Sequence, residues 1–432
     1  MQPLQSHPLR RVLIDEAHAR PHAAIATPSR ITSLSLVFDR NGASAQFDAL
    51  CQLAAALGLP PPEAGCAFYC AEHDGLQVRW LLHTEFARYT FIVAGPSADP
   101  FEMPALARIP DDWLGSLPGS LLTALHAAVL AGQDDEAPAA EIARRWFAGN
   151  ELIGAEIGEG QALAYTDLKL HPDPRLAEGF SRYLVINRGM GPNQTGRMLQ
   201  RLFEVETYRM LALLALPIAK RQMGELDTLG TALRGITGEM AGEGGRSDGA
   251  LLGELTRLAM QVETLVAESQ YRFTAARAYY QLVERRITEL RESRLPGLQP
   301  FREFMERRLA PAMATCDTVA QRQDRLTGRL QRATLLLRTR VEVQHEEQNR
   351  ALLASMDRRA GLQLRLQETV EGLSVGVLTY YLVGLLGYLL KAAKAAGLHL
   401  NVELATGVAI PVVAVGVWWG VERLRRSLAG HG

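Results

Sequence analysis

The spacing of apolar residues changes character along the chain. Up to about residue 190, short runs rich in β-branched and aromatic residues alternate with stretches whose apolar positions recur every three or four residues. The short runs predict strands at 31–38, 66–73, 76–83, 89–93, 151–157, 162–166 and 183–186, each bounded by Gly, Pro, Asp or Asn. His73-Asp74-Gly75 between two of them is a hairpin signal, because Asp-Gly readily takes positive φ. The three-four spacing predicts helices at 43–57, 120–131 and 139–147. This mixture points to an α/β or α+β domain around one mixed sheet, residues 1–190.

Beyond residue 190 the pattern is helical throughout. One helix is predicted from 193 to 237, with a kink at Pro217. A glycine-rich connection at 239–249 leads to a second helix at 251–294, and Leu295-Pro-Gly-Leu-Gln-Pro300 is a turn. A third helical stretch begins near Phe301 and, after Pro311, meets no further proline before the apolar tail. Helices of this size are about 60–100 Å long, so they need one another, or partner subunits, to cover their apolar stripes. The expected arrangement is an antiparallel helical, coiled-coil-like stalk over 191–371.

Two runs near the C-terminus, 372–390 and 404–421, lack charged residues, and each approaches the roughly 20 residues needed to span a bilayer's hydrocarbon core. They predict a transmembrane helical hairpin over 372–421, joined by a connector with Lys391, Lys394 and Glu403 and followed by a basic tail, 422–432. Within it, Gly376, Tyr380, Gly384 and Gly387 are candidate helix-packing positions. Arg358, Arg359 and Arg365 precede the hairpin and Arg423, Arg425 and Arg426 follow it. The first residues lack an apolar core of signal-peptide length. Positive residues favour the cytoplasmic side, so the expectation is a multi-pass protein of a bacterial inner membrane with both termini cytoplasmic.

A formal net charge of −1 argues against nucleic acid as a partner. The expected partners are the lipid bilayer and further copies of the chain. Four cysteines, scattered, do not make a disulfide framework.

Three stretches carry candidate chemistry. In the loop 187–198, Gly191-Pro-Asn-Gln-Thr-Gly196 has the glycine spacing of a phosphate-binding loop, giving Arg188, Gly189, Gly191, Gly196 and Arg197 as candidate anion or nucleotide residues. Arg197 and Met198 stand where that loop needs a lysine and a hydroxyl, so a glycine-rich turn with Asn193 capping the next helix is the favoured reading. Cys66, Cys70 and His73 offer soft metal ligands, although buried, reduced cysteines suit the spacing better. Asp15-Glu-Ala-His-Ala-Arg-Pro21, flanked by His7 and His22, gathers carboxylates, imidazoles and arginines that would pin the N-terminus to the domain. No nucleophile elbow, paired zinc motif or dinucleotide fingerprint is present, and no cofactor is expected.

His7-Pro-Leu-Arg10 with Glu16-Ala-His-Ala-Arg-Pro21, Glu204-Val-Glu-Thr-Tyr-Arg-Met-Leu-Ala-Leu-Leu-Ala-Leu-Pro217 and Tyr380-Tyr-Leu-Val-Gly-Leu-Leu-Gly-Tyr388 resemble a bacterial family of uncharacterised membrane-anchored proteins, domain of unknown function 3422. The resemblance implies membrane anchoring and brings no catalytic residues. The architecture is more distantly similar to CorA-type magnesium channels, which join a cytosolic mixed-sheet domain, a long stalk helix and two membrane helices in a pentamer. Their Gly-Met-Asn filter is absent here, where the chain reads Gly387-Tyr-Leu-Leu-Lys391. The leading expectation is a non-enzymatic, oligomeric, membrane-anchored protein. A CorA-like pore for an ion or small solute comes second and a nucleotide-binding membrane protein third.

Overall fold

The computed structural model describes residues 4, 6–11, 13–14, 21–39, 41–132, 137–242, 245–395 and 401–429. The acidic and basic stretch 15–20, part of the connector (396–400) and the last residues of the tail lie outside them. Two compact units divide the chain, Met1–Thr334 and Leu335–Gly432.

In chain order the first unit contains β1 (Ser29–Val37), α1 (Gly42–Ala56), β2 (Phe68–His73), β3 (Leu76–Leu82), β4 (Phe86–Ala94), a 3₁₀ turn (Ala105–Arg108), α2 (Asp111–Gly115), β5 (Ser120–Ala131), α3 (Ala139–Trp146), β6 (Ile153–Ile157), β7 (Ala162–Asp173) and β8 (Leu176–Asn187). There follow α4 (Pro192–Leu213), α5 (Ala215–Ala241), α6 (Asp248–Leu290), β9 (Ser293–Arg294) and α7 (Phe301–Arg308). Helix α8 (Ala310–Ala395) begins in this unit and ends in the second, which also holds α9 (Val402–Ala429).

Among the described residues the strands form one sheet in the order β2-β3-β4-β1-β5-β8-β7-β6-β9. Its pairs are antiparallel except β5 with β8, which run parallel, so the sheet is mixed. The Asp74-Gly75 hairpin forms as expected, both residues at positive φ, with His73 opposite Leu76. Alternation decides what covers each face. On β1, Leu34 and Leu36 pack with Leu50 and Leu53 of α1. Ile31, one step out of phase, packs with Leu199 and Leu202 of α4, together with Leu290 from α6 and Phe301 from α7. The product is an α/β domain with helices on both faces.

The helix expected at 120–131 is instead β5. Its sequence, SLLTALHAAVLA, is rich in good helix formers, but the segment lies at the centre of the sheet and is buried on both faces from Ala124 to Val129. A strand covered on both sides shows no period-two alternation, so it reads like a buried helix. The kink expected at Pro217 is a break. Pro217 has no N–H to bond the carbonyl of Leu213, and α4 ends at that residue.

Helices α5, α6 and the early part of α8 pack as an antiparallel bundle. Leu226, Leu233 and Ile236 of α5, Leu255, Leu258 and Val262 of α6, and Val319, Leu326 and Leu330 of α8 are buried. One polar layer crosses this core. Gln222 Nε2 donates to the Leu265 carbonyl at 2.9 Å, and Gln323 Nε2 donates to Gln222 Oε1 at 2.8 Å and Ser269 Oγ at 2.9 Å. Gln323→Leu strands Gln222 Oε1 in the core and is expected to cost about 1–3 kcal/mol. Gln222→Leu/Gln323→Leu removes both partners and should recover most of that loss in the urea midpoint.

In the second unit, α8 and α9 are both long and apolar enough to cross a membrane. Their apolar windows are 0 % and 6 % buried by the protein itself.

Candidate functional site

The loop between β8 and α4 is closed on itself by Asn187. Its Oδ1 accepts from the amides of Gly189 (3.2 Å) and Met190 (2.7 Å), while Nδ2 donates to Thr27 Oγ1 (2.8 Å) and the Met190 carbonyl (2.9 Å). The amides of Arg188 and Gly189 also donate to the Gln161 carbonyl. A phosphate cradle needs these amides turned to the ligand, and here they are engaged by the chain. The Arg188 guanidinium pairs with Glu156 at 3.1 Å. Gly191, not Asn193, is the N-cap, because Pro192 takes the first helical position, where its missing N–H and fixed φ suit the turn. Met198, where a phosphate loop carries its hydroxyl, is buried in the core under the sheet.

Gly196 has a different reason to be glycine. A Cβ there would lie 1.7 Å from the Ala23 carbonyl oxygen. The strap 21–25 therefore crosses α4 in close backbone contact, and the Ile25 amide donates to the Pro192 carbonyl at 3.0 Å. Beside the strap, Arg197 Nη1 meets His22 Nε2 at 3.3 Å. Arg201 reaches Glu289 at 3.3 Å, and Arg286 bridges Glu289 (2.9 Å) and Glu204. These groups line a polar cleft of about 220 Å³. Two carboxylates against three guanidiniums leave it positive, and the His22 imidazole is lowered by burial and then by Arg197 and Arg79.

The cysteine candidates are dispersed. Cys66 precedes β2 and is half-buried; Cys70 on β2 lies opposite Arg79 of β3 and is exposed. Partial desolvation of the sulfurs pushes both thiols up, for Cys70 against the pull of Arg79, so they favour the protonated form rather than the thiolate that binds metal. The His73 ring lies against Gly58. Among the described residues no three His, Cys, Asp or Glu side chains are grouped to hold a metal ion. In the apolar helices, Gly387 faces Thr406 of α9, whereas a Cβ at Gly376 or Gly384 meets nothing within 4 Å, and Tyr380 is exposed.

A buried polar seam on the α1 side of the sheet is not legible in residue spacing; its one signal is a histidine inside the apolar run of β5. His126 Nδ1 contacts Thr32 Oγ1 at 2.9 Å, and Thr32 Oγ1 accepts from the Leu106 amide at 3.2 Å. With the ring proton on Nε2, which faces Asp173 Oδ2 at 3.5 Å, Nδ1 can accept from the Thr32 hydroxyl. His126 also stacks on Phe180 with centroids 4.0 Å apart. The order Thr-His-Asp is that of a nucleophilic triad, yet Thr32 has no exposed surface, so a substrate cannot reach it.

Burial holds His126 below its usual range, and Arg175 and Arg182 add to this against the pull of Asp173. Asp173 is held well below the carboxylate range by the His126 ring and by the two-pronged contact from Arg175, at 2.9 and 3.0 Å. A histidine lowered on folding takes up its proton more readily in the unfolded chain. Its stabilisation is complete above the unfolded value of about 6.5 and declines as pH falls below it. Asp173 adds a loss at lower pH, beginning near the unfolded carboxylate value of about 3.9. Thermal midpoints should thus fall between about pH 6.5 and 5, with a shallower fall in His126→Gln. His22 contributes in the same window, so His22→Gln/His126→Gln should be shallower still.

A family model described as "Protein of unknown function (DUF3422)" matches residues 5–428. The chain belongs to the DUF3422 family. No curated protein matches it. Within this DUF3422 protein, the matched span takes in the strap, the sheet, the bundle and both apolar helices.

Proposed function

We propose that this DUF3422 protein is a non-enzymatic, oligomeric anchor in a bacterial inner membrane, with its α/β domain and both termini in the cytoplasm. The observation that carries this reading is the apolar surface of α8 and α9, which the described residues leave almost wholly uncovered. Tyr388 and Lys391, near the end of the first apolar run, and Trp418, Trp419 and Arg423, near the end of the second, suit the membrane interface. Oligomerisation is supported by the part of α8 before the apolar run, where Leu352, Leu353, Leu362, Leu364, Leu366 and Val370 are exposed. Fluorescent-protein fusions at either end test the topology: both should fluoresce in the cytoplasm, and a dark C-terminal fusion made in normal amounts would refute it.

The second reading, a CorA-like pore, draws support from α8 running as one helix from the bundle core to the end of the first apolar run. Hairpin-dependent ion flux into liposomes, together with a pentamer in detergent, would favour it over a scaffold. A monomer or dimer without flux favours the scaffold. The third reading, a nucleotide in the 187–198 loop, is weakened by the engagement of its amides with Asn187 and Gln161.

A further inference from the structure

Beneath the strap, β3 and β4 place two arginines on the face covered by α4. Leu81 pairs with Arg88 and Arg79 with Thr90, so the two guanidiniums leave the same face one diagonal step apart. Arg79 is 7 % exposed and Arg88 3 %. Arg79 donates to the Pro21 carbonyl and lies over the Phe68 ring, 5.4 Å from its centre. Arg88 Nε and Nη2 are buried and meet no hydrogen-bond partner, and its guanidinium lies near the Phe86 ring.

Neither arginine pairs with an Asp or Glu among the described residues. A guanidinium does not shed its charge by losing a proton, and a buried charge left unpaired is costly. A group of opposite charge beside them would offset that cost.

The space is there and it is small. A cavity of about 30 Å³ is lined by Arg79, Arg88 and Thr90 from the sheet, by Gly196 and Gln200 from α4 and by Ala23 of the strap, and the rest of its lining is aliphatic and aromatic. Gln200 Nε2 gives one hydrogen to Glu204, and the guanidiniums carry the only positive charge in the lining. A cavity of that size has room for about one or two water-sized groups. It suits a single-atom anion and is too tight for the four oxygens of phosphate or sulfate beneath the Ala23–Gly196 contact.

We propose that Arg79 and Arg88 form a binding site for a small monovalent inorganic anion, of chloride size, roofed by the strap 21–25. The anion neutralises the arginine pair and fastens the strap against α4 and the sheet. Occupancy and strap docking are therefore coupled, and chloride stabilises the closed arrangement.

The test uses the full-length protein in detergent. ³⁵Cl line broadening is titrated with sodium chloride, with sodium gluconate holding ionic strength constant, and thermal midpoints are read in the same series. The wild type should give saturable broadening that bromide displaces, and a midpoint that rises with chloride and not with gluconate. Arg88→Met should abolish the broadening; Arg88→Lys, which keeps the charge but loses the paired donors, should weaken binding about tenfold or more. Broadening in the wild type no greater than in Arg88→Met overturns the proposal. Displacement by sulfate or phosphate at lower concentration than by bromide overturns the chloride-sized assignment. Should Arg88→Met not fold, Arg88→Lys and the wild-type anion series decide: no saturable, chloride-specific effect, or unchanged affinity in Arg88→Lys, refutes it.

Discussion

Arg209→Met is expected to destabilise the α/β unit by about 3–5 kcal/mol, the cost of breaking a buried ion pair from one side. Arg209 Nε and Nη2 each donate to a Glu206 oxygen at 2.8 Å in a two-pronged pair. Glu206 is nearly fully buried and also accepts from Tyr183 Oη at 2.9 Å and Ser181 Oγ at 3.3 Å. Burial works against the Arg209 charge, but the attraction of Glu206 and its hydrogen bonds outweigh it, and the guanidinium is raised. Burial and the neighbouring Glu206 push the Tyr183 phenol well up, so it stays a neutral donor. With methionine at 209 the carboxylate keeps only the Tyr183 and Ser181 hydroxyls. Urea titration of the first unit's signal should show the loss. Glu206→Met/Arg209→Met, which removes both charges, should recover a large part of it, because well-packed apolar replacements of buried pairs are often near neutral. A double variant as unstable as the single one would show that the site needs the ions for shape rather than for mutual neutralisation.

The second large effect separates the two glycines that imitate a phosphate loop. Gly196→Ala drives a Cβ into the Ala23 carbonyl, 1.7 Å away, and backbone offers no easy retreat. Overpacking of this kind costs about 1–3 kcal/mol, and here the strap must lift, breaking the bond from the Ile25 amide to the Pro192 carbonyl. Faster hydrogen exchange at Ile25 and cleavage of the strap by added protease are the expected signs. Gly191→Ala meets nothing within 4 Å and keeps ordinary extended backbone at φ −69°, so it should leave both unchanged. A loop built around phosphate would make Gly191 as sensitive as Gly196.

Much of the fold is legible along the chain because local and long-range preferences agree there. The strands from Ser29–Val37 to Phe86–Ala94 carry β-branched and aromatic residues, and Asp74-Gly75 sets their hairpin. The amphipathic helices after residue 190 and the two uncharged runs announce themselves by period and length. The Ser120–Ala131 strand does not, because its conformation is imposed by β1 and β8 on either side rather than by its own Ala- and Leu-rich sequence.

Site residues are less legible for a related reason. Gly196 looked like half of a nucleotide motif, and its real constraint, the Ala23 carbonyl, lies far away in the chain. His126, Arg79 and Arg88 gain meaning only from partners, or missing partners, that strand register brings beside them. A lone arginine in a strand gives no sign that it will be buried without a carboxylate.

Partitioning between membrane and supernatant tests the central claim most directly. Cells expressing the full-length chain are broken without detergent, and the membranes are washed with alkaline carbonate. The protein should stay with the washed membranes and leave only in detergent, while a chain ending at residue 371 should remain in the supernatant. A full-length chain recovered without detergent as a soluble monomer would contradict the account.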